Sequence, residues 1–389
     1  MDFDRIINRR NTHSVKWDSL GPLFGVTDED AIPMWVADMD FAAPEAVNQA
    51  LRDAAEHGVH GYYGDDAEYR SSIVDWMSSR HGWVVDPGHI MTTAGLVNGT
   101  AMCVQAFTEP GDGVILFTPV YHAFFKILKA AGREIVESRM PQRDGRYHMD
   151  LEALAVQLKG HEKMVVLCSP HNPGGRIWSA EELRELGEFC ERHDLLLVSD
   201  EIHMDLTFPG ETHVPAAVAL PDLSHRLVMM SAATKTFNIA GSHTGNVIIA
   251  DDALRARFEA TLMATGTSPN RFGLLTVTAA YRHGADWLNE LMVYLEGNRR
   301  MFDDRMNAIP GLKSMALQAT YLAWVDFENT GMPRDEFTNR VMKQARVVPN
   351  HGPTFGLGGD SFLRFNIACR RALLDEAIGR IEDAFSDLQ

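Results

Sequence analysis

The sequence predicts an α/β protein: a large unit built on a mainly parallel sheet covered by helices, joined to a smaller α+β unit. Three observations predict it. Between about residues 90 and 250, short and almost wholly apolar runs alternate with amphipathic stretches, as strands buried on both faces do. After about residue 285 the alternation gives way to one long helical stretch and a shorter set of strands and helices. At 389 residues the chain also exceeds what one simple core usually serves.

Taken in order, residues 90–91 read as a strand, followed by a turn of small residues at 93–100 and a helix running toward Phe107. Strand 114–117, helix 123–131 and strand 135–137 come next, then helix 151–158, strand 164–168, helix 180–193 and strand 195–199. Strands at 227–230 and 246–249 complete the large sheet. A helix at 286–307 carries Leu288, Leu291, Met292 and Leu295 at helical spacing. The remainder reads as strand 321–327, helix 334–345, a short strand near Val347, strand 362–367 and helix 371–385. The first 40 or so residues lack the pattern and are expected to wrap against the small unit. This gives a large domain over residues 45–285 and a small one over 1–44 and 286–389.

Composition narrows the function. A net charge of −17 argues against a nucleic-acid or anionic-membrane partner, which needs a basic face. No stretch approaches the ~20 apolar residues that span a bilayer, and the amino terminus has no signal-peptide core. Cys103, Cys168, Cys190 and Cys369 are scattered, as buried reduced thiols in a cytoplasm would be. The sixteen histidines form no metal-ligand spacing, so no metal site is expected.

Ligands in such folds bind beyond the carboxyl ends of the strands. Five features stand there or face that edge. Lys235, one of only eight lysines, follows strand 227–230 within Ser231-Ala-Ala-Thr-Lys-Thr-Phe-Asn-Ile-Ala-Gly241. There its amine can be kept neutral for Schiff-base chemistry, or it is simply a surface lysine in a turn. The turn Thr93-Ala-Gly-Leu-Val-Asn-Gly-Thr100 opens a helix whose free amides favour a phosphate, although glycine turns before helices are common. Asn172, in Ser169-Pro-His-Asn-Pro-Gly-Gly175, can donate to a phenolic oxygen or merely start a turn. Asp200, in Ser199-Asp-Glu-Ile-His203, can hold a pyridinium proton or cap a helix, and Glu201 beside it competes for either role. Arg364 interrupts the apolar run Phe362-Leu-Arg-Phe-Asn366, where it needs a partner: a substrate carboxylate or a structural anion.

In this order the motifs resemble those of fold-type I pyridoxal-phosphate (PLP) enzymes, the aspartate-aminotransferase superfamily, over nearly the whole chain. Further segments resemble the MalY/PatB-type cystathionine β-lyases. These are Met34-Trp-Val-Ala-Asp-Met-Asp-Phe41, His57-Gly-Val-His-Gly-Tyr62, Pro119-Val-Tyr-His-Ala-Phe-Phe-Lys126, Ser199-Asp-Glu-Ile-His-Met-Asp205 and Thr234-Lys-Thr-Phe-Asn-Ile-Ala-Gly241. The resemblance implies an aspartate-aminotransferase-like fold, PLP as cofactor and Lys235 as its covalent anchor and the base at Cα. It further implies that Asp200 pairs with the pyridine nitrogen and Asn172 with the ring oxygen. Tyr121 stacks on the ring and assists proton movements. Gly95, Leu96 and Val97 cradle the phosphate with Ser231 and Thr234. Arg364 holds the substrate carboxylate, with the Ala37 backbone and Asn172 close by. Tyr62 reaches the phosphate of a neighbouring subunit, which requires a homodimer.

Three positions depart from the wider superfamily. His203 stands where many aminotransferases carry a tyrosine beside the ring oxygen, a choice that resembles the lyase branch. His243 stands where an arginine often neutralises the phosphate, and it is a weaker, pH-dependent cation. Gly174 replaces the usual threonine of Asn-Pro-Thr-Gly. The implied reaction is β-elimination from cystathionine or related cysteine S-conjugates. An aminotransferase is the alternative, sharing every residue up to the carbanion. A regulator that kept only cofactor binding is a third reading, disfavoured by the intact lysine, aspartate and arginine.

Overall fold

Seven segments pair into one sheet in the computed structural model, which describes residues 1–388. They are β1 (Ile90–Thr93), β2 (Gly113–Thr118), β3 (Glu134–Arg139), β4 (Glu162–Cys168), β5 (Leu196–Asp200), β6 (Leu227–Ser231) and β7 (Gly245–Ile248). Their order across the sheet is β1-β7-β6-β5-β4-β2-β3. All neighbours run parallel except β7, which is antiparallel to both β1 and β6. The central strands are buried on both faces because they are apolar on both: in β2, Val114, Ile115 and Leu116 have no exposed surface. Complete burial of side chains of this size contributes about 1.5–3 kcal/mol each, relative to exposure.

The intervening helices start and stop where local chemistry directs. Helix α1 (Leu96–Phe107) begins at Gly95, whose φ of +86° suits glycine and which offers no side-chain cap. Helix α2 is His122–Ala130. In helix α3 (Ala180–Arg192), Ser179 and Glu182 form a reciprocal capping box. Lys235 lies on the single turn α4 (Ala233–Thr236), directly after β6.

Helix α5 (Arg271–His283) is followed by the long α6 (Ala285–Ala308), which buries the predicted Leu288, Leu291, Met292 and Leu295. Beyond it stands a four-stranded antiparallel sheet of β8 (Lys313–Ser314), β9 (Leu322–Asp326), β10 (Asn350–His351) and β11 (Phe362–Asn366), in the order β8-β9-β11-β10. The stretch expected as one helix at 334–345 is α-helical over Arg334–Asn339 and π-helical over Arg340–Gln344. The wider turn inserts one extra residue while Val341 and Met342 stay buried.

In the amino-terminal segment, Ile32–Pro33 pairs in parallel with Val347–Val348. A buried ion cluster fixes it. Lys16, with no exposed side-chain surface, reaches Asp40 at 2.8 Å. Arg9 grips Asp38 at 2.7 Å and Asp40 at 2.8 Å, and the Trp17 indole donates to Asp40 at 2.8 Å. Together these donors hold the Asp40 carboxyl below its ordinary range despite its burial.

Breaking a buried pair strands a charge, whereas an exposed pair is largely screened by water. Lys16→Ala is expected to lower the unfolding free energy by about 3 kcal/mol. Arg52→Ala, which removes the exposed pair to Glu45, is expected to cost less than about 1 kcal/mol. Urea denaturation of the two variants side by side checks this; equal losses would contradict it.

Candidate active site

Four strand ends meet at one edge of the large sheet. The pairings Cys168↔Asp200, Asp200↔Met230, Asn246↔Ser231 and Gly245↔Thr93 bring the ends of β4, β5 and β6 together there, with the start of β7 standing between β6 and the end of β1. A cavity of about 570 Å³ opens beyond that edge. Lys235, Asp200, Asn172, His203 and Tyr121 line it, as do Gly95, Leu96, Val97, Thr234, His243 and Ala37. A larger hollow of about 760 Å³ near Arg139 and Asp360 shares no lining residue with it and holds no lysine.

Lys235 rises from α4 into the cavity, and its Nζ donates to the Ala37 carbonyl at 2.5 Å. Burial lowers its amine to about 8; Arg364 acts in the same direction, and Asp38 and Asp200 oppose it. The helix beneath is anchored by the next residue. Thr236 Oγ1 donates at 2.8 Å to Asp205, a buried carboxylate that also accepts from the Trp76 indole at 2.9 Å and contacts His81 at 2.7 Å.

Asp200 is buried with one close donor, the Ile202 amide at 3.2 Å. Burial raises its carboxyl to about 7, and Glu201 adds to the rise. Glu201 itself is a structural acid: it accepts from Ser199 Oγ and the Ala216 amide at 2.9 Å each and meets His213 at 2.7 Å. Of the two neighbouring carboxylates, Asp200 lines the cavity and Glu201 does not.

Arg364, on β11, crosses to the large unit and donates to Asn172 Oδ1 at 2.9 Å. It also donates to the Trp35 carbonyl at 2.8 Å and to Asn350 Oδ1, and it lies over the Phe355 ring. Among the described residues no carboxylate forms a salt bridge with it. Burial brings its guanidinium down to about 10, a cation held by amide oxygens. The bond through Oδ1 leaves the Asn172 amide hydrogens for the cavity.

His203 is neutral, because burial, with Lys235 and Arg364 nearby, lowers it to about 3. Tyr121, at the start of α2, packs against His122 and Phe124. His243 holds a left-handed backbone at φ +46°. Gly174 is explained sterically: a β-carbon there would lie 2.9 Å from both His171 Nδ1 and the Tyr147 ring. A threonine would have to displace them.

Three predicted residues lie outside that lining, and one of them is Arg364, which reaches it through Asn172. Ser231 lies behind the lining, with its Oγ buried and unpartnered. Tyr62 is fully exposed and does not line the cavity of its own chain. Sequence reasoning missed Tyr321, whose hydroxyl meets the Ala37 carbonyl at 3.1 Å, as well as Cys168 and Ile202 in the cavity wall. Only a hydroxyl opening an otherwise apolar strand hinted at Tyr321.

The residues fit an anionic, ring-bearing ligand. His203 Nδ1, Ser231 Oγ, Ser242 Oγ and Arg364 Nε are buried without partners, although buried polar atoms are normally paired. The uncapped amides of α1 add an anion-binding end.

The sequence profile described as aminotransferase class I and II matches residues 29–381. This chain belongs to the class I and II aminotransferase family. Within that family it is 42% identical to cystathionine beta-lyase PatB of Bacillus subtilis, over 99% of this chain and all of that one. Crystalline cystalysin from Treponema denticola, which contains pyridoxal 5'-phosphate, matches with a TM-score of 0.95 at 34% identity, covering 100% of this chain and 99% of that one. The PLP-bound C-S lyase from Staphylococcus hominis matches at 0.91 with 30% identity, covering 99% and 98%. The large mixed sheet and its helices thus form the aspartate-aminotransferase-like fold of this family.

The buried Asp200 makes a pH prediction for the cofactor-free family member. Its carboxyl is held above the ordinary value of 3.8, so folding takes up a proton up to about pH 7. The stabilisation is complete below the unfolded value and is lost as pH rises through 7. Asp200→Asn is expected to flatten the fall in Tm over that window; an unchanged slope would count against the buried carboxyl.

Proposed function

We propose that this chain is a PLP-dependent carbon–sulfur lyase. It eliminates a thiol from Cβ of an L-cysteine conjugate, giving pyruvate and ammonia, and homocysteine where the conjugate is cystathionine. The observation that carries the reading is one cavity in which Lys235, with its amine near neutrality, faces Asp200 and Asn172, with Arg364 bonded to Asn172. The identity to PatB favours elimination over amino transfer.

PLP bound in the cavity supplies an electron sink for the bonds at Cα. Lys235 is its covalent anchor and, once its amine is free, accepts the proton from Cα. The thiolate then leaves Cβ with the electron pair of the C–S bond, and hydrolysis of the remaining unsaturated amino acid gives pyruvate and ammonia. Asp200 holds a proton at the ring nitrogen, and the Asn172 amide donates to the ring oxygen. His203, neutral beside them, adds no charge there. The α1 amides at Gly95, Leu96 and Val97, the hydroxyls of Ser231 and Thr234, and His243 hold the phosphate. Tyr121 covers the ring, and Arg364 takes the substrate carboxylate close to Ala37. Residues 45–285 carry the cofactor, while 1–44 with 286–389 close on the substrate.

The reading includes a homodimer in which Tyr62 serves the phosphate of the other copy. Its full exposure, with Val59 also exposed on a stretch (58–66) without helix or strand, supports this. Sedimentation of a concentrated sample as a monomer would remove that part. A cytoplasmic setting agrees with four free, buried cysteines, and no described helix is long and apolar enough to cross a membrane.

Removing the base is expected to cut turnover by at least about 10²-fold. Lys235→Ala should therefore almost abolish pyruvate release from cystathionine while leaving the circular dichroism spectrum unchanged. The wild-type assay is run without added 2-oxo acid. Strict dependence on such an acceptor would make the enzyme an aminotransferase instead.

A further inference from the structure

One oxygen at the site serves two donors. The Ala37 carbonyl accepts Lys235 Nζ at 2.5 Å and the Tyr321 hydroxyl at 3.1 Å. Tyr321 has no exposed surface, and its ring meets His203 edge-on at 6.2 Å between centroids. Its backbone is tied to both sheets' units: Thr320 N donates to Leu206 O at 2.8 Å, and Ile367 N donates to Tyr321 O at 2.9 Å. Thr320, just before it, holds a left-handed φ of +72°, a conformation that is costly for a β-branched residue and persists only when its surroundings impose it. The phenol is therefore held rigidly, and the carbonyl it holds is the one that receives the lysine amine.

We propose that Tyr321 is a positioning residue for Lys235, fixing the Ala37 carbonyl as the acceptor that receives the lysine amine whenever that amine is free. The inference rests on the lyase reading for the amine's catalytic use, but not for the hydrogen-bond link itself. The carbonyl cannot leave its place without breaking the phenol's one hydrogen bond among the described residues, an expensive loss for a buried hydroxyl. The phenol also takes a share of the oxygen's accepting capacity, which limits how strongly the carbonyl can favour the charged lysine. A purely structural tyrosine would alter neither the lysine's reactivity nor its titration.

The test uses the full-length chain with Tyr321→Phe, which keeps the ring and removes the donor. In the cofactor-free protein, acetylation of Lys235 is followed against pH by mass spectrometry; the wild-type midpoint is expected near 8. With the oxygen left to the ammonium alone, the variant's midpoint should rise by about half a unit. In the holoenzyme kcat should fall about 10-fold with KM within about twofold, as expected for a misplaced base. If that variant folds poorly, 3-fluorotyrosine at 321 preserves the shape and donates more strongly, so its midpoint should fall instead. Labelling midpoints and kcat that match wild type overturn the proposal, whatever happens to Tm. Because labelling needs neither cofactor nor substrate, it separates failure of this link from failure of the lyase reading.

Discussion

Residues 35–41 run between the two sheets and turn their backbone carbonyls toward side chains from both. Trp35 O receives Arg364, Val36 O receives Asn366, and Ala37 O receives Lys235 and Tyr321. Asp38 O receives Asn366 and Lys16, while Met39 O and Phe41 O receive Asn238. A buried carbonyl must find a donor, and here the donors are the site's own lysine and arginine. One strip of main chain thus ties the Lys235 amine to the Arg364 guanidinium. The Arg9–Asp38 and Lys16–Asp40 pairs hold the strip from behind.

The electrostatics follow from that enclosure. Lys235, Asp200, His203 and Arg364 all carry values shifted against their charged forms, with burial the largest cause each time. Burial away from the cavity can be paired off, as in Asp205 with its three hydrogen-bonding neighbours. At the cavity it is left incomplete. Perturbed titration gathered in a cleft is what an acid–base site requires, and unpaired polar atoms beside it supply binding energy once a polar ligand arrives.

Much of this was readable in the sequence, because strand ends announce themselves. The apolar runs before Cys168, Asp200 and Ser231 stop at polar residues, and parallel pairing brings those stops together. The long helix was visible from four apolar positions at helical spacing. Other features depend on contacts between residues hundreds of positions apart. Tyr321 meets Ala37 across 284 positions, and nothing local distinguishes it from a core aromatic. The Asp205 network is hidden in the same way, because Trp76, His81 and Thr236 come from distant segments. The reason for Gly174 is hidden too, because it is the His171 and Tyr147 rings that fill the space a side chain there would need. The π-helical turn at Arg340–Gln344 has the same apolar spacing as an ordinary helix over so short a stretch.

The strip at residues 35–41 also fixes the order in which the site can be assembled during synthesis. Its carbonyls emerge early from the ribosome, yet Tyr321, Arg364 and Asn366, which complete their hydrogen bonding, are translated near the end. The large sheet between residues 90 and 248 can form while those donors are still missing. A nascent chain therefore passes through a stage that has Lys235, Asp200 and the Ala37 carbonyl but neither the Tyr321 phenol that shares that carbonyl nor the Arg364 guanidinium. That network is complete only after β11 has been made, and partial products of translation carry Lys235 without Tyr321 or Arg364.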